Sequence, residues 1–367
     1  MTAACAVASA AVLLGSAEGL LCLHTRLAGL LSSLKSPEII AIQEDGRAER
    51  GADRCHELTE SPDSMPYTIA HLSDVHIPPL PPLSRGDWFS KRILGLFSWH
   101  RKWKAEHRMH IIQALQRSLD ALAPDHICIT GDLTFTTHPG EVAQATRWLE
   151  SLGAAESISL VPGNHDAYLP GALEQACEAW APWMTGDGQG RQQFPYLHRR
   201  GCVDIIGLSS GIPLRLPRTV GRLGSAQLEG LRALLESIEG DNRPCIILIH
   251  HPLQEGAARR GKELLDREAL RAVLSEHAVD LVLHGHLHRP ARATLQGRRG
   301  RTEVLGVSSA SAFGDRYAPA HYHLLEFDRD DGQITIALRH VRYDRASDAF
   351  VPGEREALTQ SFQAEPA

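Results

Sequence analysis

From position 67 onward the chain alternates short, continuously apolar runs with longer stretches patterned for helices. The runs are 67–73 (YTIAHLS), 126–130 (HICIT), 157–161 (SISLV), 203–209 (VDIIGLS), 245–249 (CIILI) and 279–283 (VDLVL). Each is apolar throughout rather than at every second residue, which predicts strands buried on both faces. Helical spacing recurs near 105–122, 140–152, 171–183, 226–238 and 264–277, with Ser225 placed to cap the fourth of these. Further strands are expected at 303–309, 321–327 and 333–342, the last two joined by a turn at Asp331-Gly332. This alternation predicts one α/β domain over 66–345, and residues 346–367 read as a loose tail.

Two segments depart from the pattern. Residues 77–104 (IPPLPPLSRGDWFSKRILGLFSWHRKWK) are proline-rich, then basic and aromatic. They read as an inserted loop and short helix covering the domain. A sharper alternative is a lid that recruits an anionic lipid, a membrane surface or a nucleic acid. Its contacts would be Lys91, Arg92, Arg101, Lys102 and Lys104 with Trp88, Trp99 and Trp103, so a peripheral membrane contact through 88–104 is a candidate. Residues 1–64 differ in kind. Their apolar stretch, 3–17, has no Lys or Arg before it and is closed by Glu18. It lacks the positive flank of a secretory signal and the length of a membrane span. After Ser36-Pro37 the pattern dissolves, and Met65-Pro66-Tyr67 stands directly before the first strand. Residues 1–64 are therefore expected to be an N-terminal extension, with Met65 as a candidate start and the cytoplasm as the expected location.

Composition narrows the class. The 367 residues are 43% hydrophobic and 22% charged, enough for a large core and too ordinary for a disordered chain. A net charge of −6, carried mostly by residues 1–64, argues against a duplex-DNA binder. Seven scattered cysteines without a C-x-x-C pair argue against a disulfide framework or a thiolate zinc site, and fit a reducing compartment. Histidine is the outlier, with 20 copies.

Position sorts those histidines. Five apolar runs end in candidate metal ligands: Asp74-Val75-His76, Gly131-Asp132, Gly163-Asn164-His165-Asp166, His250-His251 and His284-Gly285-His286-Leu287-His288. In open α/β sheets the reactive crevice lies at the carboxyl ends of the strands, so these tips are expected to converge. In extended backbone, residues i and i+2 point the same way, which would aim Asp74 with His76, and His286 with His288, at one site. Glycines 131, 163 and 285 would allow tight exits from the strands. The donors are oxygen and nitrogen with no thiolate, a set suited to Mn, Fe, Co or Zn.

The blocks D-x-H, G-D, G-N-H-D, H-H-P and G-H-x-H, in this order over 74–288, resemble the calcineurin-like metallophosphoesterase superfamily. The resemblance implies a four-layer αββα sandwich, two mixed β-sheets flanked by helices. It also implies two divalent metal ions. Asp74, His76, Asp132 and His288 would hold the first; Asp132, Asn164, His250 and His286 would hold the second. Two such ions favour a phosphate ester and supply a hydroxide for in-line hydrolysis. His165 would serve the leaving group as general acid, oriented by Asp166. His251 and His284 read as packing groups beside ligands, and His71, His126, His321 and His323 as satisfied core or sheet-surface side chains. Arg259, Arg260 and Lys262 read as a solvated loop, with a reach to substrate phosphate as the alternative.

Departures narrow the branch. Gly131-Asp132-Leu133-Thr134-Phe135 lacks the arginine-bearing continuation of the Ser/Thr protein phosphatases, and Phe135 stands where purple acid phosphatases carry a metal-binding tyrosine. His165 stands where lipid A precursor hydrolases typically carry arginine. The chain is most similar to bacterial phosphodiesterases of the cyclic-nucleotide and glycerophosphodiester type, including the string Gly306-Val307-Ser308-Ser309-Ala310-Ser311. The expectation is a hydrolase of a small or lipid-linked phosphodiester, a cyclic nucleotide among the candidates. The alternatives are a nuclease acting on single strands, a phosphomonoesterase, and a non-catalytic metal-binding scaffold.

Overall fold

The computed structural model describes residues 66–358 apart from 83, 85, 214–217, 242 and 331–332. The expected extension at 1–64, the candidate start at Met65, the turn at Asp331-Gly332 and residues 359–367 lie outside the described residues. Two six-stranded mixed sheets carry the fold. The first contains β1 (Tyr67–Leu72), β2 (His126–Ile129), β3 (Ile158–Leu160), β10 (His321–Asp330), β11 (Gln333–Asp344) and β12 (Ala349–Ala357) in the order β12-β11-β10-β1-β2-β3. The second contains β4 (Tyr196–Arg200), β5 (Val203–Gly207), β6 (Cys245–Leu248), β7 (Leu281–His284), β8 (Ala291–Gly297) and β9 (Gly300–Gly306) in the order β4-β5-β6-β7-β9-β8. In the first sheet β1, β2 and β3 pair in parallel out to the β3 edge and the strands beyond β1 are antiparallel, whereas in the second the parallel run β5-β6-β7-β9 is bordered on each side by an antiparallel strand.

The continuously apolar runs are explained by where alternate residues go. In β6, Ile246 and Leu248 enter the core shared with the first sheet, while Cys245 and Ile247 enter the core under α5 (Ser225–Ser237) and α6 (Arg267–Glu276). In β7, Leu281 and Leu283 divide from Val282 in the same way. The far side of the first sheet is covered by α2 (Met109–Leu122) and α3 (Pro139–Leu152), through Ile111, Leu115, Val142 and Leu149. This is the expected four-layer sandwich, in which β2, β6 and β7 are buried on both faces.

Three expectations change. Residues 346–358 are no loose tail: β12 closes one edge of the first sheet, with a register irregularity between Arg339 and Val341 opposite Pro352. Pro352 lacks an N–H and is tolerated because the strand is an edge. Strands β4 and β8, not anticipated, form the two edges of the second sheet. Ser225 is the first residue of α5 rather than its cap; Gly224 caps it, and the Asp266 carboxylate accepts the Gly224 amide at 2.8 Å. The four described cysteines, Cys128, Cys177, Cys202 and Cys245, are buried free thiols.

The insertion folds as α1 (Arg92–Ser98), continued by a wide π-helical turn at Trp99–Trp103. α1 docks through Gly95, where a Cβ would stand 3.0 Å from the Tyr168 hydroxyl and collide with the Thr136 methyl group. Arg92 is not free to recruit a partner. Its guanidinium pairs with Asp87 at 2.8 Å and donates to the carbonyls of Thr136 and Thr137. Trp99 is buried as well. Outward instead point Trp88, Phe89, Leu94 and Phe97, with Phe89 96% exposed. Among the described residues no helix is long and apolar enough to cross a membrane.

Candidate metal centre

The five ligand-bearing loops meet at the carboxyl ends of β1, β2, β3, β6 and β7. The loop after β1 is held from both sides. Asp74 and His76 donate their amides to the carbonyls of Gly131 and Asp132 at 2.9 and 3.0 Å. Ser309 donates its hydroxyl to the Asp74 carbonyl at 2.6 Å, and Ser311 to that of Val75 at 2.5 Å. The serine string after β9 is thus a splint for the first ligand loop. The same-side pairing expected from extended backbone has another origin. Asp74, His76, Asp132, His286 and His288 all adopt left-handed φ, between 41° and 67°. Such conformations cost about 1–3 kcal/mol each outside glycine and persist where the surroundings enforce them, as they do at functional sites.

The glycines serve two purposes. Gly131, at φ 90°, makes the sharp exit before Asp132. Gly163 is there for space, because a Cβ would collide with the Asp132 carboxylate.

The side chains converge closely. His288 Nε2 lies 3.1 Å from Asp74 Oδ1, His250 Nε2 3.3 Å from Asp132 Oδ2, and His76 Nε2 3.9 Å from the same oxygen. His250 Nε2 is also 3.1 Å from Asn164 Oδ1 and 3.3 Å from His286 Nδ1. All seven expected ligands are therefore brought together. The donor set suits metal ions, for two reasons. His76 Nε2 is buried and has no hydrogen-bond partner, and Asp74 Oδ1 is buried with only His288 Nε2 beside it. Three imidazoles also face a carbonyl with the ring nitrogen pointing away from the cluster: His76 Nδ1 to Thr134, His250 Nδ1 to Thr130 and His286 Nε2 to Lys262. Donation to those carbonyls fixes the tautomer that leaves the inward nitrogen free to ligate.

Electrostatics agrees. Burial alone would push Asp132 up, but His250, His165 and His76 hold it well below the usual carboxylate range. Burial likewise opposes ionisation of Asp74, and His288 beside it brings its pKa down. Burial lowers His76 to about 3, keeping it neutral. His250 is the exception: Asp132 and Asp74 outweigh its burial and raise it to about 9, so its inward nitrogen carries a proton that a metal ion must displace.

His165 stands at the edge of this cluster, grouped with His76 and Asp132. Its Nδ1 is 2.8 Å from the Phe135 carbonyl, and its ring stacks on Phe135 at 4.9 Å. Phe135 thus orients His165, and the expectation for Asp166 is corrected. The Asp166 carboxylate accepts the amides of Asp132, Gly163 and Thr134 and the Thr134 hydroxyl, at 2.7, 3.0, 3.0 and 2.8 Å. Four donors saturate a buried carboxylate, which then ties backbone and has no contact with the imidazole.

His251 and His284 are flanking groups as expected. His251 bonds Ser210 and lies tilted at 39° against the His286 ring, centroids 4.5 Å apart, and His284 bonds Gln254 at 3.0 Å. His107 was not anticipated. It is buried, bonds Ser311 at 2.7 Å, leaves Nε2 unpartnered and groups with His76 and His288. Trp103 stacks on His107 and on Tyr317, at 5.5 and 5.3 Å, walling the cluster on that side. The Lys262 ammonium is partly desolvated at the rim of the cluster: that desolvation, then Arg259, lowers its pKa, while Asp132 and Asp74 are near enough to oppose the shift. Arg259 and Arg260 are exposed.

A family model described as calcineurin-like phosphoesterase matches residues 67–290. A probable cyclic nucleotide phosphodiesterase from Synechococcus sp. is 28% identical over 282 residues, 73% of this chain and 90% of that protein. A UDP-2,3-diacylglucosamine hydrolase from Cellvibrio japonicus is 30% identical over 176 residues, 46% of this chain and 68% of that protein. Among solved structures, a dimetal phosphatase from Danio rerio aligns with a TM-score of 0.49 at 15% identity, over 82% of this chain and 100% of that one.

Proposed function

The chain belongs to the calcineurin-like phosphoesterase family and is a phosphoester hydrolase, and from that premise we propose that it is a phosphodiesterase for a lipid-linked phosphodiester at an anionic bilayer surface. One observation carries the choice of substrate. The insertion that walls the metal centre through Trp103 also presents an apolar and basic face to solvent. Lys91, Leu94 and Phe97 recur every third residue along α1 and are exposed, with Trp88 and Phe89 before them and Arg101, Lys102 and Lys104 after. Apolar side chains interleaved with cations match a bilayer surface bearing anionic headgroups.

In this reading Asp74, His76, Asp132 and His288 hold one divalent ion, and Asp132, Asn164, His250 and His286 a second. When bound, the ions supply an activated water and a clamp on the phosphate oxygens. With Nδ1–H directed to Phe135, His165 Nε2 is the atom that carries a proton to the departing oxygen. Lys262 meets a phosphate oxygen at the mouth of the site.

A second reading, a cyclic nucleotide, is favoured by the relative of that name and by the stacked Trp103–Tyr317 pair beside His288, a surface on which a base could lie. A panel with manganese-loaded protein separates the two. It compares glycerophosphodiester lipid in phosphatidylglycerol-containing vesicles with cyclic nucleotides, single-stranded DNA and phosphomonoesters. Fastest cleavage of the lipid, lost in Phe89→Asp/Phe97→Asp while soluble bis-p-nitrophenyl phosphate is still cleaved, is the expected result. Preference for cyclic nucleotides with indifference to vesicles overturns the lipid reading in favour of the second.

A further inference from the structure

Behind the metal centre, on strands that contribute none of its ligands, three more histidines converge. His321 and His323 lie two apart on β10 and share a face, and His340 on β11 is the cross-strand partner of His323. A ring nitrogen from each comes within 4.8 Å of the other two. Each ring also has one buried nitrogen without any hydrogen-bond partner: His321 Nε2, His323 Nε2 and His340 Nδ1. An unpaired buried polar atom costs about 1–3 kcal/mol. Three on neighbouring rings call for an explanation that core packing does not give.

We propose that His321, His323 and His340 form a metal site additional to the catalytic one, for a borderline divalent ion such as zinc. The opposite nitrogens of two rings are already fixed. His321 Nδ1 is 2.5 Å from the Ser308 hydroxyl, which itself donates to the Pro319 carbonyl and so accepts from the ring; the Ser308 amide lies 3.2 Å from the same nitrogen and competes for it. His323 Nδ1 is 3.3 Å from His71 Nδ1, and His71 Nε2 is in turn 3.0 Å from the Thr130 hydroxyl. Metal-binding histidines are characteristically held through the nitrogen that does not bind the metal. All three rings are lowered below the usual histidine range, first of all by burial, and so stand as neutral donors. Ligand nitrogens around a tetrahedral zinc lie roughly 3.4 Å apart, so rings whose nitrogens lie within 4.8 Å of one another draw together on binding. Nitrogen donors without a carboxylate select zinc, cobalt or copper over magnesium and calcium. His321 and His323 are buried, whereas His340 is half-exposed and gives the ion its way in. Three protein ligands leave a fourth position for water. The site lies next to the catalytic frame, since Thr130, which anchors His71, also meets His250 Nδ1 through its carbonyl at 2.7 Å.

The test is metal content. Chelator-stripped full-length protein, reloaded with zinc and desalted, is expected to hold about one ion per chain more than His340→Ala or the double variant His321→Ala/His340→Ala. Cobalt titration should give the visible bands of a four-coordinate site in the wild type and lose them in the double variant. Manganese-dependent bis-p-nitrophenyl phosphate hydrolysis and an unchanged circular dichroism spectrum report that the variants are folded with an intact catalytic centre. Equal zinc content and equal cobalt spectra in wild type and double variant overturn the site, whatever the activity. If the double variant loses its fold, the same comparison with half-exposed His340→Gln decides the question.

Discussion

Asp166 accepts the backbone amide of Asp132 at 2.7 Å and, through the same carboxylate, the amides of Gly163 and Thr134. It clasps the loop that carries Asp132 to the loop that carries Asn164, so two candidate metal ligands share one anchor. Removing it in Asp166→Ala strands these buried donors, each at about 1–3 kcal/mol. The expected outcome is a large drop in melting temperature together with reduced metal content. A variant that melts like the wild type yet loses activity would return Asp166 to the role of orienting His165.

For His165 the prediction concerns the leaving group. p-Nitrophenoxide departs without a proton, whereas an alkoxide needs one. His165→Asn should therefore reduce turnover of an alkyl phosphodiester by about 10²-fold or more, and that of bis-p-nitrophenyl phosphate much less. Equal losses on both substrates would make His165 a binding group.

The convergence of the candidate ligands is legible in the sequence because their placement is local: a polar tip after an apolar run needs no knowledge of the far side of the fold. The central strands were legible for a related reason, since burial on both faces leaves only apolar residues, as in β6 and β7. What escaped is what contacts decide. Strands β4, β8 and β12 are edges; β8 alternates half-buried and exposed residues and β12 is almost wholly exposed, so neither carries an apolar run. Proximity in sequence misleads for Asp166, whose carboxylate takes the Asp132 amide rather than the neighbouring imidazole, and for Ser225, which is the first helical residue after the Gly224 cap. His107 left one faint signal, a histidine at the end of a basic-aromatic insertion. Its partner Ser311 lies 204 positions away.

That position makes His107 a test of how far the metal centre extends. Its ring meets His76 edge-on at 4.8 Å, and its Nε2 has no partner. His107→Ala should weaken metal retention by about 10- to 100-fold, the range seen when a group supporting ligands is lost. Equilibrium dialysis against a manganese buffer series measures it. Unchanged affinity would make His107 a packing residue between Trp99 and Trp103.

Asp280 yields a prediction about stability and pH that does not involve the metals. It sits at the start of β7, buried, and accepts the Cys245 amide at 2.7 Å through one oxygen while the other has no partner. Burial raises its pKa from 3.8 to about 6, so the folded state binds a proton more tightly than the unfolded chain. The sign follows from proton linkage. The stability this group contributes is fully present below its unfolded pKa and is lost as pH rises through the folded value. A shift of this size corresponds to about 3 kcal/mol. Asp280→Asn keeps the acceptor for Cys245 and removes the charge. Relative to wild type it should therefore gain stability between pH 4 and pH 7, by up to about 3 kcal/mol at neutral pH. Urea unfolding at a series of pH values measures the difference between the two proteins, in which contributions from the histidines cancel. Parallel stability curves across that window would show that Asp280 is already solvated or paired in the folded state.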